Sequence, residues 1–127
     1  MPTGKVRLVV NEETKLVELS FSAPGESVEE HDKMAEETRE FYKNLLAINP
    51  DVKFKVLVDL SNAGIPTKHA TDLYIATLSD KHIERTAIFG MSKAIQSVIN
   101  FIVSAAGKGE NVKFFIDREQ ALKYLQS

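Results

Sequence analysis

The chain has no cysteine, no long uninterrupted apolar run and no excess of one charge. Without cysteine there is no thiolate nucleophile, no disulfide switch and no Cys-type zinc site, and a reducing, cytoplasmic setting is expected. The most apolar stretch, Ala94 to Ala106, is interrupted by Gln96, Ser97, Asn100 and Ser104. It is too short and too polar to span a bilayer. Met1 to Arg7 lead into an alternating pattern rather than a greasy run with a cleavage site, so no signal peptide is expected. With 16 Lys and Arg against 18 Asp and Glu, interleaved to a net charge of -2, there is no basic footprint for nucleic acid.

What is present fits one globular domain over residues 1–127. At 43% hydrophobic content the chain can bury a core without a metal or disulfides. Val6, Leu8 and Val10, then Val17, Leu19 and Phe21, alternate along two strands joined by a polar turn at Asn11 to Thr14. PGESVEE then reads as a helix start, Ser27 capping the amide three residues on and Glu30 reaching back. The helix should run to about Ala47 on a stripe of Met34, Thr38, Phe41, Leu45 and Ile48, flanked by Tyr42 and Leu46, and stop at Asn49-Pro50.

Beyond it FKVLVDL, TAIFG and VKFFI alternate with helical stretches at Thr67 to Leu78, Lys93 to Ala106 (ending near Gly107) and Arg118 to Leu125 (capped by Asp117). Strands alternating with helices argue for parallel crossovers, and the apolar runs Val56 to Val58 and Ala87 to Phe89 for cover on both faces. The expected fold is α/β: a mixed, mostly parallel five-stranded sheet with an N-terminal antiparallel hairpin, order ββαβαβαβα, and helices packed on the sheet. The pattern does not set the strand order.

That order, with VLVDLSNAG in the middle and RTAIFGMSKAIQSVINFIVSAAGKGENVKFFIDREQALKYL at the end, resembles the SpoIIAA-like family within the broader STAS group. The resemblance covers nearly the whole chain and rests on no catalytic motif. Members of that branch resemble in fold both anti-sigma-factor antagonists and the lipid-handling CRAL-TRIO domains. It therefore implies a non-enzymatic regulatory or protein-interaction domain, with a carrier or sensor of an apolar small molecule or lipid as the alternative. In the antagonists a phosphorylatable serine follows an acid at the start of the helix after the third strand. Aligned from Asp59-Leu60-Ser61, that place falls at Thr67, Lys68, His69 and Ala70, and no serine stands there. The phosphoserine switch is expected to be missing, although a phosphate on Thr67 would be electrostatically welcome at a helix N-terminus.

In open α/β sheets ligands collect outside the carboxyl ends of the strands. Asp59, Ser61 and Asn62, with Thr67 and Lys68 beyond them, and Gly90, Met91 and Ser92 fall at two such ends and form a candidate binding rim. The alternative is a strand-to-helix junction: Asp59 and Asn62 bonded to loop amides, Gly64 supplying an unusual backbone angle, Pro66 opening the turn, and Thr67 or Ser92 capping a helix. Neither Ser61 nor Ser92 has a Gly-x-Ser-x-Gly context, and His69 is the one histidine expected near them, so no catalytic residue is assigned. His31, His69 and His82 show no ligand spacing, so neither a metal nor a cofactor is expected. Gly107-Lys108-Gly109 follows a helix instead of opening one, the reverse of a phosphate loop. On the helix Lys93 to Ala106 apolar side chains spread over roughly 200°, where packing on one sheet needs roughly 100°. The surplus, around Ile95, Ile99, Ile102 and Val103, is expected to meet neighbouring helices, a second copy in a homodimer, or an apolar ligand.

Overall fold

The structure, a computed structural model, describes residues 3–107 and 109–126. Of the Gly107-Lys108-Gly109 run, Lys108 lies outside the described residues, as do Met1, Pro2 and Ser127.

The alternating N-terminal residues form β1 (Val6–Asn11) and β2 (Leu16–Phe21), paired antiparallel with Val6 opposite Phe21 and Asn11 opposite Leu16. Asn11 Oδ1 accepts from the amides of Glu13 and Thr14, which closes the turn. Parallel strands β3 (Phe54–Asp59), β4 (Ile83–Phe89) and β5 (Val112–Phe115) follow, and the sheet order is β1-β2-β3-β4-β5. Between and after them lie α1 (Val28–Ile48), α2 (Lys68–Leu78), α3 (Lys93–Ala105) and α4 (Arg118–Gln126).

That order decides where the helices go. Each crossover steps one strand the same way, so crossovers of the usual right hand put α1, α2 and α3 on one face. The contacts agree, with α1 against α2, α2 against α3, and α4 against β3, β4 and β5. Alternate residues of β3 and β4 consequently face different layers. Val56, Thr86 and Ile88 look toward α1 to α3, whereas Leu57, Ala87 and Phe89 pack on Ala121 and Leu125 of α4. Expected cover on both faces is thereby met. Where α4 meets the sheet the Tyr124 ring lies 5.5 Å from Phe115, with the Arg85 guanidinium 5.4 Å and the Lys113 ammonium 5.2 Å from its centre.

The caps follow the sequence with adjustments. Ser27 Oγ accepts from the Glu30 amide at 3.1 Å, but the Glu30 carboxylate reaches past the cap to the Glu26 amide at 2.8 Å and pairs with Lys5 of the strand β1 approach. Lys5 first, then the Glu26 amide, holds the Glu30 carboxyl below the ordinary range. The buried stripe of α1 is Met34, Ala35, Thr38, Tyr42 and Leu46. Phe41 and Leu45 flank it, and Ile48, expected on it, is 78% exposed because it lies two residues, or about 200°, around the helix from the buried Leu46. Asp117 Oδ1 accepts from the Gln120 amide at 2.9 Å, and Gly107, with φ 70°, follows the Ala106 cap of α3.

Loops at the amino ends of β3 and β4 are joined through His82. Its Nδ1 lies 2.7 Å from Asp80 Oδ1 and its Nε2 2.8 Å from the Pro50 carbonyl, so both ring nitrogens face acceptors and the imidazolium is favoured. The Asp80 hydrogen bond first, and the Pro50 carbonyl second, raise the His82 pKa. Burial works to raise the Asp80 carboxyl, but the amide and ring of His82 outweigh it and hold it below the ordinary range. A raised histidine stabilises fully below its ordinary pKa of about 6.5 and loses that contribution as pH rises through the folded value; the lowered Asp80 contributes above about 3.9 and loses it as pH falls through its own. The stability difference between the wild type and His82→Gln is therefore expected to be greatest between those limits and to shrink on the alkaline side. An NMR titration placing the His82 midpoint at or below 6.5 would contradict this.

Candidate functional site

β3 and β4 are neighbours, so their carboxyl ends meet, with Asp59 opposite Phe89. The Leu60 amide donates to the Phe89 carbonyl at 2.9 Å, carrying the pairing one step past the strand. Asp59 Oδ1 then accepts from the Ser61 amide at 2.9 Å and the Ser61 hydroxyl at 2.6 Å. Gly90, with φ 80°, passes directly over this turn: a Cβ on it would stand 2.5 Å from Ser61 Oγ and 2.9 Å from Ser61 N. Asp59, Ser61 and Gly90 thus lock one another in a junction. Thr67 Oγ1 accepts from the Ala70 amide at 3.1 Å and donates to Asp32, capping α2 and tying it to α1. Ser92 occupies the N-cap of α3 without a side-chain bond, a correction to its expected capping role, since its carbonyl alone serves the amides of Ile95 and Gln96. Asn62 is exposed, and the Lys68 side chain is 92% exposed and bonded along its own helix to Asp72 at 3.3 Å.

The expected rim divides between two faces. Asp59 points to the α4 side, where with Arg7, Glu18, Ser20 and Arg118 it borders a polar depression of about 290 Å³. There Arg118 pairs with Glu18, and Asp59 is bonded to Ser61. Asn62 to Lys68 instead rise over the α1–α2 side. Gly64 does not have the unusual backbone angle expected of it. It provides room: a Cβ would lie 2.8 Å from Pro24 Cβ and 2.9 Å from His31 Cε1, while one on Gly25 would lie 2.8 Å from His31 Cδ2. The His31 ring is thus held between two glycines, joining the loop before α1 to the loop before α2. No local pattern announces that contact.

Beneath these loops a cavity of about 110 Å³ lies between the sheet and α1, α2 and α3. Ile95, Ile99, Ile102 and Val103 all line it. Three of them are buried and Ile99 half-buried, so they turn inward and are not presented to a second copy. The outward apolar residue of α3 is Phe101, 60% exposed. The neighbouring helix that meets this surplus is α2, while α4 packs on the opposite face of the sheet. Polar groups reach the cavity too. Thr38 and Thr77 bond the carbonyls of Met34 and Leu73, both at 2.9 Å, and Tyr74, bonded to Thr38, has its phenol pushed up to about 12 by burial. Tyr42 and Thr86 also line the cavity, and their hydroxyls are buried with no hydrogen-bond partner among the described residues.

The family model described as a domain of unknown function, DUF7793, matches residues 29–127, from the first turn of α1 to the end of α4. The chain belongs to the DUF7793 family. Its fold is SpoIIAA-like. A crystal structure of an uncharacterized DUF3478-family protein with a SpoIIAA-like fold, from Shewanella loihica PV-4, superposes with a TM-score of 0.63 at 18% identity, covering 94% of this chain and 91% of that one. No curated protein matches.

Among the described residues of this DUF7793 chain, no three acidic or histidine side chains are grouped to hold a metal, and no helix is long and apolar enough to cross a membrane. The junction's role can be separated from a binding role by stability. Gly90→Ala forces a side chain into left-handed backbone against Ser61 and is expected to cost about 2 to 3 kcal/mol. Asp59→Ala frees two part-exposed donors and is expected to cost about 1 kcal/mol. Urea unfolding in which Gly90→Ala matches the wild type would refute the lock.

Proposed function

We propose that the DUF7793 domain acts in the cytoplasm by binding, as a non-enzymatic regulatory module whose contact surface is the corner formed by the loops before α1 and α2. The observation that carries this reading is an exposed apolar pair on a fixed base. Val28 is 67% and Ile65 55% exposed. His31, one helical turn on from Val28, is wedged against Gly64, the neighbour of Ile65, so the two belong to one corner. Exposed apolar groups on a rigid rim, ringed by Asn62 and Lys68, suit a complementary protein surface, from a partner or a second copy.

Chemistry is less well served. The Ser61 hydroxyl donates to the weakly basic Asp59 carboxylate rather than to an imidazole, and His69, expected near it, sits 3.2 Å from Glu36 on α1. A lipid carrier would need a cavity of several hundred Å³. About 110 Å³ does not favour that alternative. Nor is Thr67 placed for a switch, since its hydroxyl is spent on the α2 cap and on Asp32, whose carboxylate would repel a phosphate. Incubation with an anti-sigma-type kinase is expected to leave the intact mass unchanged; stoichiometric phosphate on Thr67 would reverse that conclusion.

Ile65→Asp tests the corner. The variant is expected to keep the wild-type melting temperature within a degree or so, being a surface change, and to lose at least tenfold in self-association or in crosslinking from a photoreactive residue at Asn62. Undiminished association and crosslinking in Ile65→Asp would refute the corner as the contact surface.

A further inference from the structure

The corner that carries Val28 and Ile65 has a charge as well as an apolar surface. Val28 stands three and four residues before His31 and Asp32 on α1, so all three share one face of the helix. His31 and Asp32 in turn meet the residues on either side of Ile65-Pro66: a Cβ on Gly64 would lie 2.9 Å from the His31 ring, and the Thr67 hydroxyl donates to Asp32. Val28 and Ile65 are thereby brought to the same end of the seam between α1 and α2, and both are exposed.

The charges around this pair are mostly of one sign. Residues 26–36 contain Glu26, Glu29, Glu30, Asp32 and Glu36 against the single cation Lys33. Lys68 and Asp72 pair with each other at 3.3 Å, and Lys5 answers Glu30. Together these residues carry a net charge of -3, whereas the whole chain carries -2, so the remainder of the chain is close to balanced. Two of the acids are open to a partner: the Glu29 carboxylate has no hydrogen bond or ion pair among the described residues, and Glu26, its side chain 87% exposed, comes no closer to Lys5 than 3.8 Å. The helix dipole favours acids in the first turn of α1, but Glu36 lies beyond the second turn, outside its reach.

Resting on the reading of this corner as the contact surface, we infer that its partner is a basic protein segment, with an apolar side chain that seats on Val28 and Ile65 and a Lys or Arg beside it that meets Glu29 and Glu26. Apolar contact supplies the anchor, and opposite charge selects the partner and speeds the encounter. A second copy suits this surface poorly, because a two-fold contact sets each patch against itself and would bring -3 to -3. Nucleic acid and anionic lipid are repelled by the same sign.

A random peptide library displayed on phage and panned against the full chain tests this, with binding located by amide NMR shifts and by Ile65→Asp. Peptides that lose about tenfold on Ile65→Asp are expected to combine net positive charge with an apolar residue. They are also expected to bind Glu29→Lys about fivefold less tightly and to weaken severalfold between about 50 and 300 mM salt. Glu26→Lys, equally exposed, takes the place of Glu29→Lys if the latter does not fold. Corner-binding peptides that are neutral or acidic, that ignore salt, or that bind the folded charge-reversed variant undiminished would overturn the inference and leave the corner standing as a contact surface. Peptides indifferent to Ile65→Asp, or a library with no enriched binder, would overturn it together with the corner.

Discussion

Strand order is the constraint on which the other features rest. Because β2 to β5 are laid down in sequence order, all three crossovers step in one direction and, sharing one hand, deliver α1, α2 and α3 to one face. Only α4, which follows the last strand, is left for the other. The two layers are therefore unequal. α4 packs on β3 to β5 through Ala121 and Leu125, both buried against Leu57, Ala87 and Phe89. The three-helix layer is spaced from the sheet by Met34, Tyr42, Ile95 and Ile102, and large side chains projecting from three directions leave the cavity between them.

The same order brings the carboxyl ends of β2, β3 and β4 side by side, so the loops leading to α1, α2 and α3 must share limited space. Glycine settles that crowding in two different ways. At Gly90 the need is a left-handed backbone passing over Ser61; at Gly64 it is the absence of a side chain where Pro24 and His31 approach. Asp59 then closes its own turn through Ser61. An acid at the end of a central strand looks like a functional group in sequence, and here its strongest bonds are within two residues of itself.

Much of the fold was legible because periodicity is a local property. The alternation of Val17, Leu19 and Phe21, the Ser27 and Thr67 caps, and the unbroken apolar runs at Val56 to Val58 and Ala87 to Phe89 each report which surfaces are covered. The candidate site was legible only as a position. Asp59, Ser61 and Gly90 do converge, yet nothing local shows that Asp59 turns to the α4 side while Asn62 to Lys68 rise over α1, since that follows from strand register and crossover hand. His31 between two glycines, and Tyr42 of α1 with Thr86 of β4 around one cavity, join residues far apart in the chain. A lone threonine in an apolar strand was the one available signal for Thr86, and threonine is common enough in strands to hide it. On α3 the excess of apolar surface was visible, but its direction depended on α2 as neighbour and on α4 lying behind the sheet.

The rim and the cavity share a wall, because His31, Gly64 and Pro66 line the cavity and also shape the corner that carries Ile65. Shared residues do not by themselves couple the two surfaces. An occupant can alter the rim only if the rim has two arrangements that the occupant distinguishes. The contacts around His31 leave little room for a second one: the ring meets Gly25 on one edge and Gly64 on the other at distances that no Cβ could tolerate. Thr67, bonded to both Asp32 and the Ala70 amide, fixes the far end of the same loop. A loop pinned at both ends and filled in the middle resists graded movement, as close-packed interiors do. The geometry therefore describes a tightly filled outer corner and an inner cavity on one domain, both bordered by the imidazole of His31.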